Sequence, residues 1–183
     1  LGIRSRGVQP EAESETPPRL VLLGFHRVAS ALLAELERTV PSLVAETLVI
    51  DINAPLHDEL RRRGVHVVYG DLASAEVLRH AGIERAAVIV STVPDELLRG
   101  VTNLAVVRQV RALAPDAAVI ACATRVSDAA TLRAAGADHV FRAPTEAVLG
   151  LVPAISAALD GTLESFVMGQ SEEHGRLVPG AEV

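Results

Sequence analysis

The chain has 183 residues, a formal net charge of −6 at pH 7, 49% hydrophobic residues and only 2% aromatic residues. Its length is that of one domain with a sizeable core, and no apolar run approaches the ~18 residues that a membrane helix needs, so we expect a soluble domain. The acidic balance and the scarcity of aromatic rings argue against nucleic acid as a partner, and the absence of lysine among the 17 basic residues excludes a Walker-type phosphate loop and Schiff-base chemistry.

Residues 1–18 are predicted to form a flexible linker, because the segment from residue 5 onwards is rich in Ser, Glu, Pro and Gln. The chain begins with Leu1 rather than methionine. We therefore expect further chain to precede the linker in the native protein.

The segment after the linker has the pattern of a dinucleotide-binding βαβ unit. An apolar strand over 20–24 ends at Gly24, a helix follows over 28–38, and a second strand over 47–51 ends at Asp51. The Rossmann fingerprint is Gly-x-Gly-x-x-Gly/Ala followed by an acidic residue at the end of the second strand. Gly24 and Ala29 fill the first and third positions, but His26 occupies the second, where a missing side chain normally lets the backbone approach a pyrophosphate.

Further strands and helices alternate along the rest of the chain. The predicted strands are 20–24, 47–51, 65–69, 87–91, 117–122 and 138–141. The predicted helices are 28–38, 55–63, 74–81, 95–113, 127–135 and 145–160. None of the strands alternates between apolar and polar residues, which is typical of a parallel sheet that is covered on both faces. Right-handed crossovers then predict an α/β fold, a doubly wound, Rossmann-like six-stranded sheet with strand order 3-2-1-4-5-6.

A ligand crevice in such a sheet lies at the carboxyl ends of the strands. The residues at these ends are therefore the candidate nucleotide site: Gly24, Phe25, His26, Arg27, Val28, Asp51, Ile52, Asn53, Asp71, Leu72, Ser91, Thr92 and Arg125. No catalytic residue is predicted. The histidines lack metal-ligand spacing, so no metal site is predicted, and the single cysteine, Cys122, excludes a disulfide framework.

Several of these residues have two interpretations. Asp51 is expected to accept hydrogen bonds from a ribose diol and to repel a 2′-phosphate, or else to cap the helix that begins near residue 55. His26 either donates to a phosphate, which Arg27 would also bind, or fills an unused pocket. Arg125 pairs either with a ligand phosphate or with Asp128. The hydroxyls of residues 91 and 92 either contact a ligand or belong to an ordinary helix start.

The strand ends taken together resemble a known family, the nucleotide-binding half of the regulator of potassium conductance domains, also called Trk-type NAD-binding domains. The residues that carry this resemblance are Gly24-Phe-His-Arg-Val-Ala29, Val49-Ile-Asp51-Ile-Asn53, Val68-Tyr-Gly70-Asp71, Ala87-Val-Ile-Val-Ser91-Thr92, Asp95-Glu96, Asn103, Ala121-Cys-Ala-Thr-Arg125 and Gly136-Ala-Asp138-His-Val140. The resemblance covers about residues 19–160. It is strongest to the cytoplasmic domain of monovalent cation:proton antiporters, the group that contains the glutathione-gated potassium efflux systems. It also implies that Asp71 lies near the adenine, and His26 is the main departure from the pattern.

The last predicted helix is apolar around nearly its whole circumference, which predicts a second surface that covers it. Its apolar residues are Val148, Leu149, Leu151, Val152, Ile155 and Leu159, and its small residues are Gly150, Ala154, Ala157 and Ala158. The resemblance implies that this helix crosses a two-fold dimer. We therefore divide the chain into a linker (1–18), a nucleotide-binding domain (19–143), a dimerisation or crossover helix (144–160) and a tail (161–183), and we predict a homodimer.

The resemblance implies a regulatory domain rather than an enzyme. It would lie on the cytoplasmic side of the membrane, as the soluble domain of an integral membrane transporter that is attached or neighbouring. NAD(H) or an adenine nucleotide (AMP, ADP or ATP) would bind and gate ion transport. An alternative is a degenerate Rossmann interaction module that binds no nucleotide. A stand-alone NAD-dependent oxidoreductase is a third possibility, disfavoured because little chain follows the sixth strand to build a substrate pocket.

Overall fold

The computed structural model describes the backbone of residues 17–173 and the side chains of residues 17–143 and 151–168. Residues 1–16 of the predicted linker and 174–183 of the predicted tail lie outside the described residues. In chain order the elements are β1 (Leu20–Leu23), α1 (Arg27–Thr39), α2 (Pro41–Val44), β2 (Thr47–Asp51), α3 (Ala54–Arg62), β3 (His66–Tyr69), α4 (Ala75–His80), a 3₁₀ turn (Ile83–Arg85), β4 (Val88–Ser91), α5 (Asn103–Leu113), β5 (Ala118–Cys122), α6 (Val126–Ala134), β6 (His139–Phe141), α7 (Ala143–Leu159) and α8 (Leu163–Glu173). Across the described residues no helix has the length and hydropathy of a transmembrane span.

The six strands form one parallel sheet with the order β3-β2-β1-β4-β5-β6, which confirms the predicted fold class and strand order. β1 is central, and Leu22 pairs in register with Val49 of β2 on one side and with Val90 of β4 on the other. The strand order reverses between β1 and β4. That reversal creates the crevice in which doubly wound proteins bind their ligands.

The core has two layers because successive residues of each buried strand point to opposite faces of the sheet. Leu22 packs on the side of α1, α2 and α3, which we call the α1 face. Leu23 packs on the side of α4, α5 and α6, the α5 face. Both side chains are fully buried. Burial on both faces explains why the strands read as continuous apolar runs rather than as alternating patterns.

One predicted boundary is wrong: the fourth predicted helix was expected over 95–113, but the corresponding helix, α5, begins at Asn103. The sequence Pro94-Asp95-Glu96 has the composition of a helix start, yet it forms an isolated turn in which the amide of Leu97 donates to the carbonyl of Pro94. Gly100 then adopts a left-handed φ of 72°, which ends any helical continuation. The Thr102 hydroxyl caps α5 by accepting from the amide of Ala105.

Arg111 joins the C-terminal end of α5 to the amino ends of β5 and β6. Its guanidinium donates to the carbonyl oxygens of Gly136 and Ala117 and, at 2.6 Å, to the carboxylate of Asp138. The same Asp138 carboxylate accepts from the amide of Val119 at 2.7 Å. The Val119 amide first, and the Arg111 guanidinium second, hold the pKa of Asp138 below its ordinary value.

Asp138→Asn should therefore lower stability at neutral pH and reduce the acid sensitivity of folding. Because the native pKa of Asp138 is depressed, its stabilisation is present above the ordinary carboxyl pKa and is lost as the pH falls through the native value. We expect a loss of about 1 kcal/mol at pH 7, the low end for a bond to a charged group in a half-exposed site. Urea unfolding at pH 7 and pH 3 measures both effects. Asp116→Asn, at an exposed carboxylate, is the control, and an equal loss in both variants would contradict the assignment.

Candidate functional site

The candidate site lies at the carboxyl edge of the sheet, where β1 and β4 are neighbours. Leu23 pairs in register with Ser91, and the chain then leaves β1 towards the α1 face and β4 towards the α5 face. The two connections diverge and open a crevice above these strand ends. Four of the predicted segments, 24–28, 51–53, 71–72 and 91–92, follow β1 to β4 and meet along this edge. Arg125 follows β5 and stands at the end of the series.

Gly24 makes the turn that carries the chain from β1 into α1. It has a φ of 78°, and a Cβ atom placed on it would lie 2.3 Å from Cγ2 of Val93. Its amide donates to the carbonyl of Ile50, and its carbonyl accepts from the buried hydroxyl of Thr92 at 2.9 Å. Only glycine satisfies both the backbone conformation and the close approach of Val93.

The N-terminal end of α1 carries a positive partial charge, and neither its N-cap residue nor its own first turn supplies a side chain that neutralises this charge. His26 is the N-cap residue, its side chain makes no capping hydrogen bond, and the first turn contains no acidic residue. The first bond of the helical pattern runs from the amide of Ser30 to the carbonyl of His26. The amides of the first turn and the exposed Arg27 side chain therefore form a region suited to an anion, with the half-buried His26 imidazole beside it.

The Asp51 carboxylate connects the ends of β1 and β2. Its Oδ2 accepts from the amide of Phe25 at 2.7 Å and its Oδ1 accepts from the amide of Asn53 at 2.6 Å. Asp51 is not the N-cap of α3, since that residue is Asn53. A carboxylate offers about four acceptor positions, so Asp51 retains capacity for a ribose diol. Its contact with a ligand stays a prediction.

Two aromatic residues beside Asp51 were not among the predicted site residues. The exposed Tyr69 pairs in register with Asp51 at the end of β3. His57 is buried beneath, with Nε2 3.2 Å from the carbonyl oxygen of Asp51 and its ring centroid 6.0 Å from that of Tyr69. The sequence signal that could have found Tyr69 is its place at the end of β3, next to the strand that ends in Asp51.

The β3 connection is a compact turn. The Asp71 carboxylate accepts from the amide of Ala73 at 2.9 Å, and the Ser74 hydroxyl caps α4 by accepting from the amide of Val77. Asp71 is exposed and Leu72 is buried. Asp71 therefore stabilises this turn and is exposed to solvent, and its contact with an adenine stays a prediction.

The hydroxyl groups that follow β4 are committed to internal hydrogen bonds. Ser91 donates to Oδ1 of Asn103 at 2.5 Å, and the Asn103 amide group donates to Oδ1 of Asp95 and to the carbonyl of Val93. The Thr92 hydroxyl donates to Gly24, as described above. In the described structure these two residues shape the crevice rather than present free hydroxyls to it.

Arg125 does not form an ion pair with Asp128, which was one of the two partners considered for it. The Asp128 carboxylate instead accepts from the backbone amide of Arg125 at 3.2 Å, at the start of α6. The Arg125 side chain is exposed. The Thr124 hydroxyl next to it donates to Glu96 at 2.9 Å. An anion in the crevice remains an available partner for the Arg125 guanidinium.

Neither thiol nor metal chemistry is evident at this edge. Burial, followed by the charges of Asp95 and Glu96, raises the pKa of the Cys122 thiol, which makes it a poor nucleophile. Among residues 17–143 and 151–168, no group of three or more His, Cys, Asp or Glu side chains is placed to hold a metal ion.

Comparison with known proteins identifies the family. The family model described as the TrkA-N domain matches residues 20–143. The chain belongs to the TrkA-N domain family. This assignment confirms the resemblance, since the match spans all six strands and ends at the start of α7.

Two curated relatives are membrane transport proteins of Escherichia coli. YbaL, which carries the name of a cation/proton antiporter, is 34% identical over 128 residues, covering 69% of this chain and 21% of YbaL. The glutathione-regulated potassium-efflux system protein KefC is 29% identical over 135 residues, covering 74% of this chain and 20% of KefC. This TrkA-N domain chain thus spans about a fifth of the length of these relatives.

Solved structures share the fold. The crystal structure of the TrkA-N domain of the E. coli inner membrane protein YbaL has a TM-score of 0.65 at 27% identity, covering 76% of this chain and 98% of that one. The GsuK channel bound to NAD has a TM-score of 0.59 at 24% identity, covering 74% of this chain and 23% of that one. The crystal structure of GsuK bound to ADP has a TM-score of 0.58 at 23% identity, covering 75% of this chain and 34% of that one.

Gly24→Ala should destabilise the domain more than the same change at Gly100. Both glycines have a φ near +75°, but a Cβ on Gly100 meets nothing within 4 Å, whereas one on Gly24 overlaps Val93. Left-handed strain alone costs about 1 kcal/mol, and the overlap should bring the Gly24 variant to roughly 2–3 kcal/mol. Urea unfolding of the two variants measures the difference. Equal losses would mean that the close approach at Gly24 relaxes without cost.

Proposed function

We propose that this TrkA-N domain is the cytoplasmic regulatory domain of a potassium or other monovalent cation:proton antiporter, in which a bound nucleotide gates ion transport. The observation that carries the proposal is the positive N-terminal end of α1, whose N-cap residue makes no capping bond. The helix begins two residues after Phe25, and the amide of Phe25 donates to the Asp51 carboxylate at 2.7 Å. A phosphate group fits the first of these features and a ribose diol fits the second. A nucleotide is the ligand class that carries both groups.

Family membership supports the transport part of the proposal. YbaL and KefC are both named for cation transport, and KefC is named as a regulated system. The membrane domain to be gated would be attached to this chain or lie next to it. Gating requires that the nucleotide bind one of two arrangements of the domain more tightly, because a ligand with equal affinity for both shifts nothing.

The ligand classes to test are NAD(H) and the adenine nucleotides. The imidazole of His26 stands at the second fingerprint position, where a glycine would let the backbone approach a pyrophosphate. An obstructing ring at that position favours a mononucleotide over a dinucleotide. The same fold holds NAD in one GsuK structure and ADP in another. Thermal unfolding and calorimetry with NAD, NADH, AMP, ADP and ATP provide the first test. A hundredfold excess over Kd should stabilise the domain by ~2.7 kcal/mol.

Asp51→Asn should weaken adenosine-containing ligands by about 1.5–3 kcal/mol, or roughly ten- to hundredfold in Kd, because it removes a charged acceptor for the ribose. It should also reduce the preference for NAD over NADP, since the wild-type carboxylate repels a 2′-phosphate. Calorimetry on both proteins with both cofactors measures this. If the substitution only loosened the loop at Phe25, affinity for NAD and NADP would fall equally, and a ribose role for Asp51 would be contradicted.

A second candidate function is an interaction module that binds no nucleotide. The observations that favour it are His26 in place of glycine and the internal bonds of the Ser91 and Thr92 hydroxyls. Absence of stabilisation by any of the five nucleotides at millimolar concentration would support it.

If binding is found, ion flux through the full-length native protein in liposomes, with and without the nucleotide, tests the gating. An NAD-dependent oxidoreductase has no observation in its favour beyond the fold.

The proposed assembly is a homodimer built largely by residues 145–160. The large apolar side chains in the described part of α7 are not buried. Their exposed fractions lie between 56 and 83% for Leu151, Val152, Ile155 and Leu159. The prediction for this surface also included Val148, Leu149 and Gly150. These residues lie in the part of α7 whose side chains are not described. Exposure on this scale in adjacent turns is typical of an interaction surface.

Replacing Leu151 and Ile155 with aspartate should convert the dimer into a monomer at micromolar concentration, because two buried charges would replace two apolar contacts. Light scattering measures the mass of the wild type and the variant. Ser156→Asp, which adds a charge to the same helix without removing an apolar side chain, is the control. A wild-type monomer, or a dimer that persists in the double variant, would contradict the proposal.

A further inference from the structure

His57 is a buried polar side chain beneath the candidate site. It belongs to α3 and is 5% exposed. Six polar or charged side chains are buried among the described residues, and four of them, His57, Ser91, Thr92 and Asn103, lie against the strand ends that border the crevice. Burying a polar group costs free energy unless it makes a hydrogen bond, so each of these side chains is expected to hold a part of this edge. The bonds of the other three fix the loops after β1 and β4, and His57 serves the end of β2.

The imidazole of His57 donates to the main chain of Asp51. Its Nε2 lies 3.2 Å from the carbonyl oxygen of Asp51, and a carbonyl oxygen only accepts, so Nε2 carries the hydrogen of this bond. The same oxygen accepts from the amide of Gly70 at 3.2 Å. A carbonyl oxygen has two lone pairs, and both have a donor here. The peptide group at the end of β2 is therefore held from α3 on one side and from the end of β3 on the other.

The N-cap of α3 does not provide this anchor. The Asn53 side chain makes no capping hydrogen bond, and the first turn of the helix contains a proline and no acidic residue. The segment between β2 and α3 is held instead by the Asp51 carboxylate, which accepts from the amide of Asn53 at 2.6 Å and from that of Phe25 at 2.7 Å. His57 adds a bond between α3 and the residue that carries this carboxylate. The Tyr69 ring, with its centroid 6.0 Å from that of His57, lies beside the imidazole.

We propose that His57 is a positioning residue for the ribose of the nucleotide. Its bond to the carbonyl of Asp51 fixes the backbone from which the ribose-binding carboxylate projects. The inference rests on the ribose role that the proposed function gives to Asp51, and it assigns the side chain that keeps Asp51 in place. An acceptor that is already fixed loses little conformational freedom when the ligand binds, so the bond increases affinity although His57 does not touch the ligand.

Two substitutions of His57 separate the donor from the packing. His57→Leu removes the N–H donor and keeps a side chain of similar size, whereas His57→Gln keeps a donor at the end of the side chain. Calorimetry on the full chain with NAD, NADH, AMP, ADP and ATP measures the effect. For each nucleotide that the wild type binds, His57→Leu should raise Kd roughly three- to tenfold, and His57→Gln should restore most of the affinity. An unchanged Kd in the leucine variant, or equal losses in both variants, would overturn the proposal.

Thr47→Val is the control for a general loss of stability. Thr47 is fully buried at the opposite end of β2, and its hydroxyl donates to the carbonyl of Leu43 at 2.7 Å. The substitution therefore also removes a buried side-chain bond to the backbone, but far from the crevice. It should lower stability in urea unfolding and leave the nucleotide Kd unchanged. If it weakened binding as much as His57→Leu, the loss of affinity would follow from stability alone and the positioning role would be refuted.

A double-mutant cycle tests whether His57 acts through Asp51. In the Asp51→Asn background the charged acceptor is gone, so His57→Leu should change the nucleotide Kd by less than about twofold. Two effects that multiply in full would show that His57 influences binding by another route, and this result would contradict the proposal.

Amide hydrogen exchange without nucleotide measures the positioning directly. The amides of Phe25 and Asn53 both donate to the Asp51 carboxylate, so their exchange followed by NMR reports how firmly it is held. Exchange should become severalfold faster in His57→Leu and stay near the wild-type rate in His57→Gln and Thr47→Val. Unchanged exchange in His57→Leu would overturn the positioning role whether or not a nucleotide binds. A wild type that binds none of the five nucleotides would instead refute the proposed function, while faster exchange in His57→Leu would still support the hold of His57 on Asp51.

Discussion

The handedness of the crossovers is the constraint on which the other features of this molecule depend. A right-twisted strand can return to a parallel position only through a right-handed connection. Starting from the central β1, the chain must therefore place its first three helices, α1 to α3, on one face of the sheet and the next three, α4 to α6, on the other. The reversal opens the crevice between β1 and β4. It also leaves an open, largely apolar groove on the α1 face of the second half of the sheet, so the candidate crevice and this groove arise from one topological cause.

Within the crevice, the backbone is fixed by side chains that come from distant parts of the sequence. The Asp51 carboxylate holds the amide of Phe25, and the Thr92 hydroxyl holds the carbonyl of Gly24. The loop between β1 and α1 is thus bound on both sides before any ligand arrives. Such preorganisation lowers the entropic cost of binding, because the donors of the α1 terminus already point in one direction. His26 fits at the second fingerprint position because its backbone is extended, with a φ of −136°, a conformation that does not require glycine.

Much of this architecture was predictable from the sequence, because it depends on local signals. Continuous apolar strands that alternate with helices indicated the parallel sheet, and right-handed crossovers indicated its strand order. The start of α5 was misplaced because Pro94-Asp95-Glu96 favours a helix locally, while the deciding feature, the left-handed Gly100, lies several residues later. The partners of the strand-end hydroxyls were not predictable. Thr92 and Gly24 are 68 residues apart, and no local pattern indicates their contact.

Arg142 is the single residue between β6 and α7. A connection this short ties the direction of α7 to that of β6. The 17 residues of α7 extend about 25 Å at 1.5 Å per residue from an anchor at the same edge of the sheet as the crevice, and the helix is continuous through Pro153, which removes one backbone hydrogen bond from it. A tilt of about 10° at the anchor would move the far end by roughly 4 Å over that length. A displacement at the strand ends that is small on the scale of a side chain would thus become, at the far end of α7, a step as large as the spacing between packed atoms.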